Sequence, residues 1–397
     1  MIDGWGILFH VLISASLIGI SIGLILLPKN SFDIEKKILD TFILVFAFSI
    51  ISGITLYTEF AFTNTQGLLY KLIHHQLGRS SFIGYLTINI FLFILYYFKN
   101  LNFYLKKIVY IIIFFSSLLL SIWSLIVNTI MQNPEIISNF SEHLHLLSIG
   151  TISFLLIEKY VFIRLIHNYI AFAIPGLVLV LFSIKHLNIC SSGVRNSLFL
   201  VSFFILILNI SLLFSGHLQI KNIGDLNTHK YTSIVGSEKD VKIYFPGFNM
   251  SNINDIEGVD VSRFYPKSIL KEIEKKRLQF DTDNKFSVYI FNFFHLMTLL
   301  WGLINFLILY IIYLVYRKHY ISNFLLILLY ILPLLAILSG WMVSELGRQP
   351  WLFYKMVLVS EISTHTNSFK LVNNIIIQVL LLFLLHWIIF KEGMSKT

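Results

Sequence analysis

Charge is what this 397-residue chain has least of: Asp, Glu, Lys and Arg together make up 13% of it, against roughly 25% in an ordinary soluble domain. Hydrophobic residues supply 56% and aromatic residues 16%. These proportions exclude a water-soluble globular enzyme and point to an all-α polytopic membrane protein. Cysteine is the second shortage. The single Cys190 rules out an internal disulfide and any cysteine-held cluster, so a metal would have to be held by His, Met or carboxylate. Internal repeats are missing too, which argues against a transporter assembled from two related halves. The formal charge of +9 comes from 30 basic against 21 acidic residues, scattered in short clusters between apolar runs. That arrangement sets membrane topology and does not make a nucleic-acid-binding face.

A hydrocarbon core of about 30 Å takes roughly 20 apolar residues as helix. About nine spans are expected on that basis, near 5–27, 41–62, 81–98, 108–131, 161–184, 196–217, 287–316, 322–345 and 370–390. The stretch 136–158 carries Glu142, His143, His145 and Glu158 and reads as an interfacial or loop helix. The first span opens at Gly4 without the basic start and cleavage site of a signal peptide, so it counts as structure. Residues 218–286 form a long polar loop between spans six and seven, dividing the chain into 1–217, 218–286 and 287–397. Connections of this length are usually functional. With the N-terminus outside, the inner loops hold Lys29, Lys36, Lys37, Lys99, Lys106, Lys107, Lys185, Arg195, Arg317, Lys318, Lys391 and Lys396. The short outer loops are poorer in basic residues, so the positive-inside rule places the N-terminus outside and the C-terminus inside.

A charge at a helix centre costs roughly 2.5–3.5 kcal/mol, so polar residues inside spans are functional candidates. His10, His167 and Met297 each lie two to three turns into an inward-running span, and Glu345 lies at the outer end of span eight. All four therefore share the outer half of the membrane. Isolated His and Met donors on separate helices suit haem, because the porphyrin supplies the remaining four nitrogens. Interhelical hydrogen bonding by the histidines and plain packing by Met297 are the competing readings.

The strongest string is Gly340-Trp341-Met342-Val343-Ser344-Glu345-Leu346-Gly347-Arg348-Gln349-Pro350-Trp351. Trp341 and Glu345 stack four apart on one helix face. Arg348 follows one turn later, placed to neutralise Glu345 or to hold a propionate, and Gln349-Pro350 should end the helix. An aromatic belt with an interfacial ion pair would account for the same residues.

This string resembles the motif G-W-x-x-x-E-x-G-R-Q-P-W that closes the eighth helix in the first subunit of cytochrome bd-type quinol oxidases. The resemblance extends along the chain through Met131-Gln132-Asn133-Pro134 at the end of span four and Ser215-Gly216-His217-Leu218-Gln219 at the start of the long loop. It implies an enzyme subunit that passes electrons from quinol to O2, with a low-spin haem b, a high-spin haem b, and a haem d or further haem b. His167 and Met297 match the low-spin ligands, His10 one high-spin ligand, and Glu345 the carboxylate of the other. Trp341 would lie between haems, Arg348 beside a propionate, and Lys230 in Asn227-Thr228-His229-Lys230 at the quinol. The implied partners are a second oxidase subunit, with room for a small single-span one, in the cell membrane of a bacterium or archaeon.

The chain departs from the family at several positions. Ile83 and Phe91 stand where span three carries a glutamate pair, with Asn89 between them. Val235 replaces the loop carboxylate after Lys230, leaving no acid to accept the quinol proton, and His295 replaces an arginine near Met297. Glu59, His74 and His75 read as solvated loop residues. Two rival functions follow: a membrane cytochrome b that transfers electrons without reducing O2, and a haem-free transporter or structural subunit.

Overall fold

A computed structural model describes residues 3–29, 32–62, 68–98, 101–133, 158–185, 192–235, 242–243, 259–260, 286–349, 351–353, 357–358 and most of 376–388. The helices are α1 (Asp3–Leu26), α2 (Phe32–Phe62), α3 (Leu68–Tyr97), α4 (Phe103–Gln132), α5 (Lys159–Lys185), α6 (Ser192–Leu226), α7 (Thr228–Val235), α8 (Ser287–Tyr316) and α9 (Asn323–Leu346). Two short antiparallel pairs accompany them, β1 (Lys242–Ile243) with β2 (Val259–Asp260) and β3 (Trp351–Phe353) with β4 (Val357–Leu358).

The first eight expected spans fall on α1 to α6, α8 and α9. Among the described residues, six helices are long and apolar enough to cross a membrane, and shorter apolar stretches at 10–26 and 82–97 belong to α1 and α3. The ninth expected span lies partly outside the described residues, with helical turns at 376–377 and 379–385. The expected interfacial helix at 136–158 lies outside them except for Glu158. That residue caps α5, its Oε2 accepting the backbone N–H of Tyr160 at 2.7 Å. Asn102 and Ser322 cap α4 and α9 in the same way.

Two boundaries differ from the sequence reading. α6 does not stop at 217 but runs on to Leu226, and α7 follows directly, so the start of the polar segment is helix. Hydropathy locates the end of an apolar run, whereas the helix ends where its backbone is capped. Here Asn227 accepts the Lys230 N–H at 2.8 Å and starts α7. Glu59, His74 and His75 likewise lie on helices α2 and α3 and not in a loop; their side chains are outside the described ones.

The core is organised around α5. Two thirds of its most apolar stretch is buried, 67% against 33–35% for the other long apolar helices, which makes it the central helix. α5 packs on α6, α6 on α8, α8 on α9 and α9 back on α5, closing a ring of four. α1 lies against α5 with α2 and α4 beside it, and α3 packs on α4. The α1–α5 crossing depends on glycine. A Cβ on Gly19 would sit 2.6 Å from the Leu177 nitrogen and 2.8 Å from the Gly176 Cα, so the two backbones touch. Membrane helices gain affinity from such close approach because lipid supplies no hydrophobic driving force between them.

At the far end of α1, Lys107 Nζ donates to the carbonyls of Leu24 (3.1 Å) and Leu27 (2.7 Å), neutralising the carbonyl end of a neighbouring helix. Lys106 pairs with Glu35 at 2.7 Å. Lys185 bonds Asn323 and lies 4.6 Å from the Tyr320 ring. The basic residues that mark topology are thus also structural here. Gly176→Leu should prevent the α1–α5 approach and destabilise the protein by about 3 kcal/mol or more. Thermal unfolding in detergent checks this, and an unchanged midpoint would show that the crossing tolerates a side chain.

Candidate functional site

Early turns of α1, α5 and α8 adjoin late turns of α2, α6 and α9, which brings the candidate donors into one layer. His10 Nδ1 lies 2.7 Å from Ser52 Oγ on α2, and His167 Nδ1 lies 3.1 Å from Ser215 Oγ on α6. Each serine already donates its single proton to a carbonyl, Ser52 to Ser49 at 3.0 Å and Ser215 to Leu212 at 3.3 Å. A serine that keeps its carbonyl bond accepts from the imidazole, which is then the Nδ1–H tautomer with the Nε2 lone pair left for a metal. Serine is a weaker orienting partner than a carboxylate, but it adds no charge to the membrane.

Every donor also lies against a glycine on the neighbouring helix. A Cβ on Gly53 would be 3.2 Å from His10 Cε1, one on Gly216 3.5 Å from His167 Cε1, and one on Gly340 3.0 Å from Met297 Sδ. Gly216 and Ser215 thus belong to the His167 contact, although the sequence places them at the start of the quinol loop; His217 next to them is exposed. Gly340 opens the long motif, and its place beside Met297 explains why that position excludes a side chain. Trp341 follows, its Nε1 buried and without a hydrogen-bond partner among the described residues, as is Asn292 Oδ1 on α8.

The fourth candidate anchors a polar cluster at the end of α9. Glu345 Oε2 pairs with Arg348 Nη2, and Glu345 Oε1 accepts from Asn128 Nδ2 at 3.3 Å. The turn beyond α9 is closed by Arg348, whose carbonyl accepts from the Trp351 N–H at 2.9 Å and whose Nη1 donates to the Trp351 carbonyl at 3.3 Å. Arg164, one turn before His167, donates to Asn128 Oδ1 and, at 2.6 Å, to Ser344 Oγ. Gln132 donates to Ser344 and, at 3.3 Å, to Asn128 Oδ1.

Lys230 completes the cluster. It is not a solvated loop lysine: it is 3% exposed, and its Nζ donates to Gln132 Oε1 at 2.8 Å. Its stem lies on Gly347, where a Cβ would come within 2.6–2.8 Å of the lysine carbons. Gly347 has an ordinary helical φ of −68°, so it is glycine for space and not for conformation. Burial pushes the Lys230 ammonium well below its usual range, the charges of Arg164 and Arg348 push the same way, and Glu345 opposes them. A cavity of about 50 Å³ opens beside it, lined by Gln132, Tyr160, Arg164, Gln219, Asn222 and Lys230 among others. Most of the residues that line it are polar types, and it has room for ordered water.

Comparison with known proteins gives this arrangement its context. The family model described as cytochrome bd terminal oxidase subunit I matches residues 4–394. This chain belongs to that family. Among solved structures, it is similar to the bd oxidase from Geobacillus thermodenitrificans at 15% identity and a TM-score of 0.76, covering 98% of this chain and 96% of that one. A search of curated proteins finds no match. The protein is accordingly a polytopic membrane subunit of the oxidoreductase class, and family membership implies haem.

The residues present fit such a group. Two imidazole Nε2 atoms and a thioether are in place as donors. Two guanidiniums, Arg164 and Arg348, together with the Lys230 amine surround one carboxylate, a positive excess that the propionates of a haem would offset. As a bd-family subunit the chain is unusual in α3, which contains no Asp or Glu. Ile83 is 57% exposed on its outer face, and Asn89 spends its amide on the Tyr85 carbonyl of its own helix at 2.8 Å. His295 stacks on Phe291 with ring centroids 3.9 Å apart, its Nδ1 2.9 Å from the Phe291 carbonyl.

Gln132, Ser344 and Ser215 lie in motifs quoted above, but the sequence assigns them no role; Asn128, Arg164 and Ser52 lie outside those motifs, although Arg164 and Asn128 stand inside apolar spans and are legible as costly polar residues. Asn128→Leu removes the acceptor shared by Arg164 and Gln132 and a donor to Glu345. It should cost about 1–3 kcal/mol, read as a lower thermal midpoint, and an unaltered midpoint would show that the network adds nothing to stability.

Proposed function

We propose that this chain is the haem-carrying subunit of a membrane quinol:O2 oxidoreductase. His167 and Met297 would be the axial pair of a low-spin haem b. His10 and Glu345 would each serve one of two high-spin haems, a haem b and a haem d or further haem b. The observation that carries the reading is the state of the three neutral donors. Each lies against a glycine of the next helix, and both imidazoles have Nδ1 within hydrogen-bond distance of a serine hydroxyl, so that Nε2 is the nitrogen outside that contact. A histidine or methionine that merely fills a core needs neither constraint.

Haem, when bound, supplies the one-electron and O2 chemistry, while the protein contributes binding, orientation and electrostatics. Arg164 and Arg348 would hold propionates, and Trp341 Nε1 offers a hydrogen-bond donor toward the same region. At the cavity, Lys230 would hydrogen-bond a quinol oxygen. Its depressed basicity favours the neutral amine, which can also take a quinol proton. On this reading the amine would stand in for the acid that Val235 replaces. Protons for water formation would have to arrive other than by α3, for instance through a second subunit. The positive-inside bias places the donor layer and the cavity toward the outside, with the C-terminus inside.

The acid-free α3 favours one alternative, a cytochrome b that transfers electrons without reducing O2. A reduced-minus-oxidised spectrum separates the two: b and d bands, or a high-spin b that binds O2, support the oxidase, and low-spin b alone supports the alternative. Met297→Leu keeps side-chain volume but removes the sulfur. Loss of the low-spin band with the high-spin bands retained is expected, both in this variant and in His167→Ala. An unchanged low-spin spectrum in both variants would remove the assignment.

Glu345 has its own test, because Arg348 is already its partner. If the carboxylate serves a haem, Glu345→Gln should strip or shift one high-spin band while the protein stays folded. If Arg348 is its whole purpose, the same change leaves a buried guanidinium unpaired and destabilises by roughly 3–5 kcal/mol with no haem-selective effect. Haem content per folded protein distinguishes these outcomes.

A further inference from the structure

We propose that Gln132 is a positioning residue shared by two sites, orienting Lys230 into the cavity while fixing the hydrogen bonds around Glu345. The inference rests on the reading of Lys230 and Glu345 given above and adds a link between them. Gln132 is the last residue of α4 and lines the cavity. Its amide has one oxygen and two N–H groups, and all three are used. Oε1 accepts from Lys230 Nζ at 2.8 Å, and Nε2 donates to Ser344 Oγ and, at 3.3 Å, to Asn128 Oδ1. Asn128 then donates from Nδ2 to Glu345 Oε1 at 3.3 Å. A primary amide cannot turn one end without moving the other, so a shift of the Lys230 head is felt at Asn128 and Ser344.

The geometry around Lys230 makes that shift directional. Its stem is held on Gly347, which leaves the terminal amine as the mobile part, between Gln132 and the cavity. Asn227 fixes the backbone of the same residue from below, accepting the Lys230 N–H at 2.8 Å, and donates from Nδ2 to the Gly347 carbonyl at 3.3 Å. A quinone or quinol oxygen in the cavity would compete with Gln132 Oε1 for the Lys230 amine. The titratable and charged neighbours of this amine are Arg164 and Tyr160 from α5 and Glu345 and Arg348 from the end of α9, while α4 contributes the neutral Gln132. Gln132 is therefore the bridge by which an occupied cavity and the Glu345 carboxylate sense each other. Such coupling is reciprocal and typically amounts to about 5-fold or more in affinity.

The test uses the purified complex, a decyl-substituted benzoquinone and, in parallel, a naphthoquinone as probes, with two variants. Gln132→Met keeps the volume but removes all three polar contacts. Gln132→Glu keeps the acceptor for Lys230 but loses both donors toward Ser344 and Asn128. In wild type, probe binding should displace the high-spin absorption band. Gln132→Met should bind the probe about 5-fold or more weakly, with the resting high-spin band displaced and no further displacement by probe. Gln132→Glu should recover probe affinity while the high-spin band stays displaced. The low-spin band should remain in place in both variants, which shows that the bundle is intact and that the effect is not a general loss of structure. If both variants keep wild-type affinity and the probe-induced band displacement, or if the low-spin band moves with the high-spin one, the shared role is overturned and the functional reading stands. A wild-type complex with no haem bands, or one that binds neither probe, overturns the functional reading and this inference together.

Discussion

Unpaired charge is what the layer around Glu345 has to accommodate, and most of the site follows from how it does so. Arg164, Arg348 and Lys230 converge on Glu345 where water is scarce, and isolated ions there would cost several kcal/mol each. Their solution is a set of neutral amides and hydroxyls threaded between the charges: Asn128, Gln132, Ser344 and Asn227. Each amide serves two or more partners, which brings ends of α4, α5, α7 and α9 to the same level. The positive excess left over matches an anionic guest better than an empty protein, since a pure structural network would be expected to balance its own charge.

The neutral donors follow a complementary rule. His10, His167 and Met297 carry no charge in the ligand-ready form, so they can sit deeper in the apolar layer with only a serine or a glycine beside them. Orienting a histidine by serine keeps the pocket electrically silent and leaves charge control to the Glu345 cluster. Glycine contributes twice over, at Gly19 and Gly176 where backbones meet and at Gly53, Gly216 and Gly340 where donors lie against a neighbouring helix. The same absence of a Cβ thus serves packing at one depth and ligand orientation at another.

The sequence made the helices and the layer legible because both are written in hydropathy. Spans read from apolar runs fall on α1 to α6, α8 and α9, and depth counted from span ends brings His10, His167, Met297 and Glu345 to one level. Hydropathy could not show where α6 ends, because Gln219, Lys221 and Asn222 are polar yet helical, and capping by Asn227 decides the boundary. Nor could it show that Lys230 is buried. A lysine in a polar stretch reads as solvated unless its contact with Gly347, far along the chain, is known. The orienting serines were illegible for a different reason: a membrane helix commonly bonds its serines to its own carbonyls, and only the tertiary contact separates Ser52 and Ser215 from Ser116 and Ser117.

The departures from the family divide along this same line between donors and proton handling. Ile83 and Phe91 sit on α3, which packs on α4 away from the ring of helices that holds His167 and Met297, so their loss leaves the axial donors undisturbed. Val235 closes α7, and the lysine five residues before it is driven toward its neutral form by burial and by two arginines. A neutral amine can accept a proton as a carboxylate does, so Lys230 would offset the missing acid on the proposed reading. On α3 the helix has neither Asp nor Glu, and Asn89 is bonded to its own backbone. On the proposed reading, the donors for electron transfer would all lie in this subunit, Lys230 would take the place of the missing acid at the quinol, and proton supply for water would come from elsewhere in the complex.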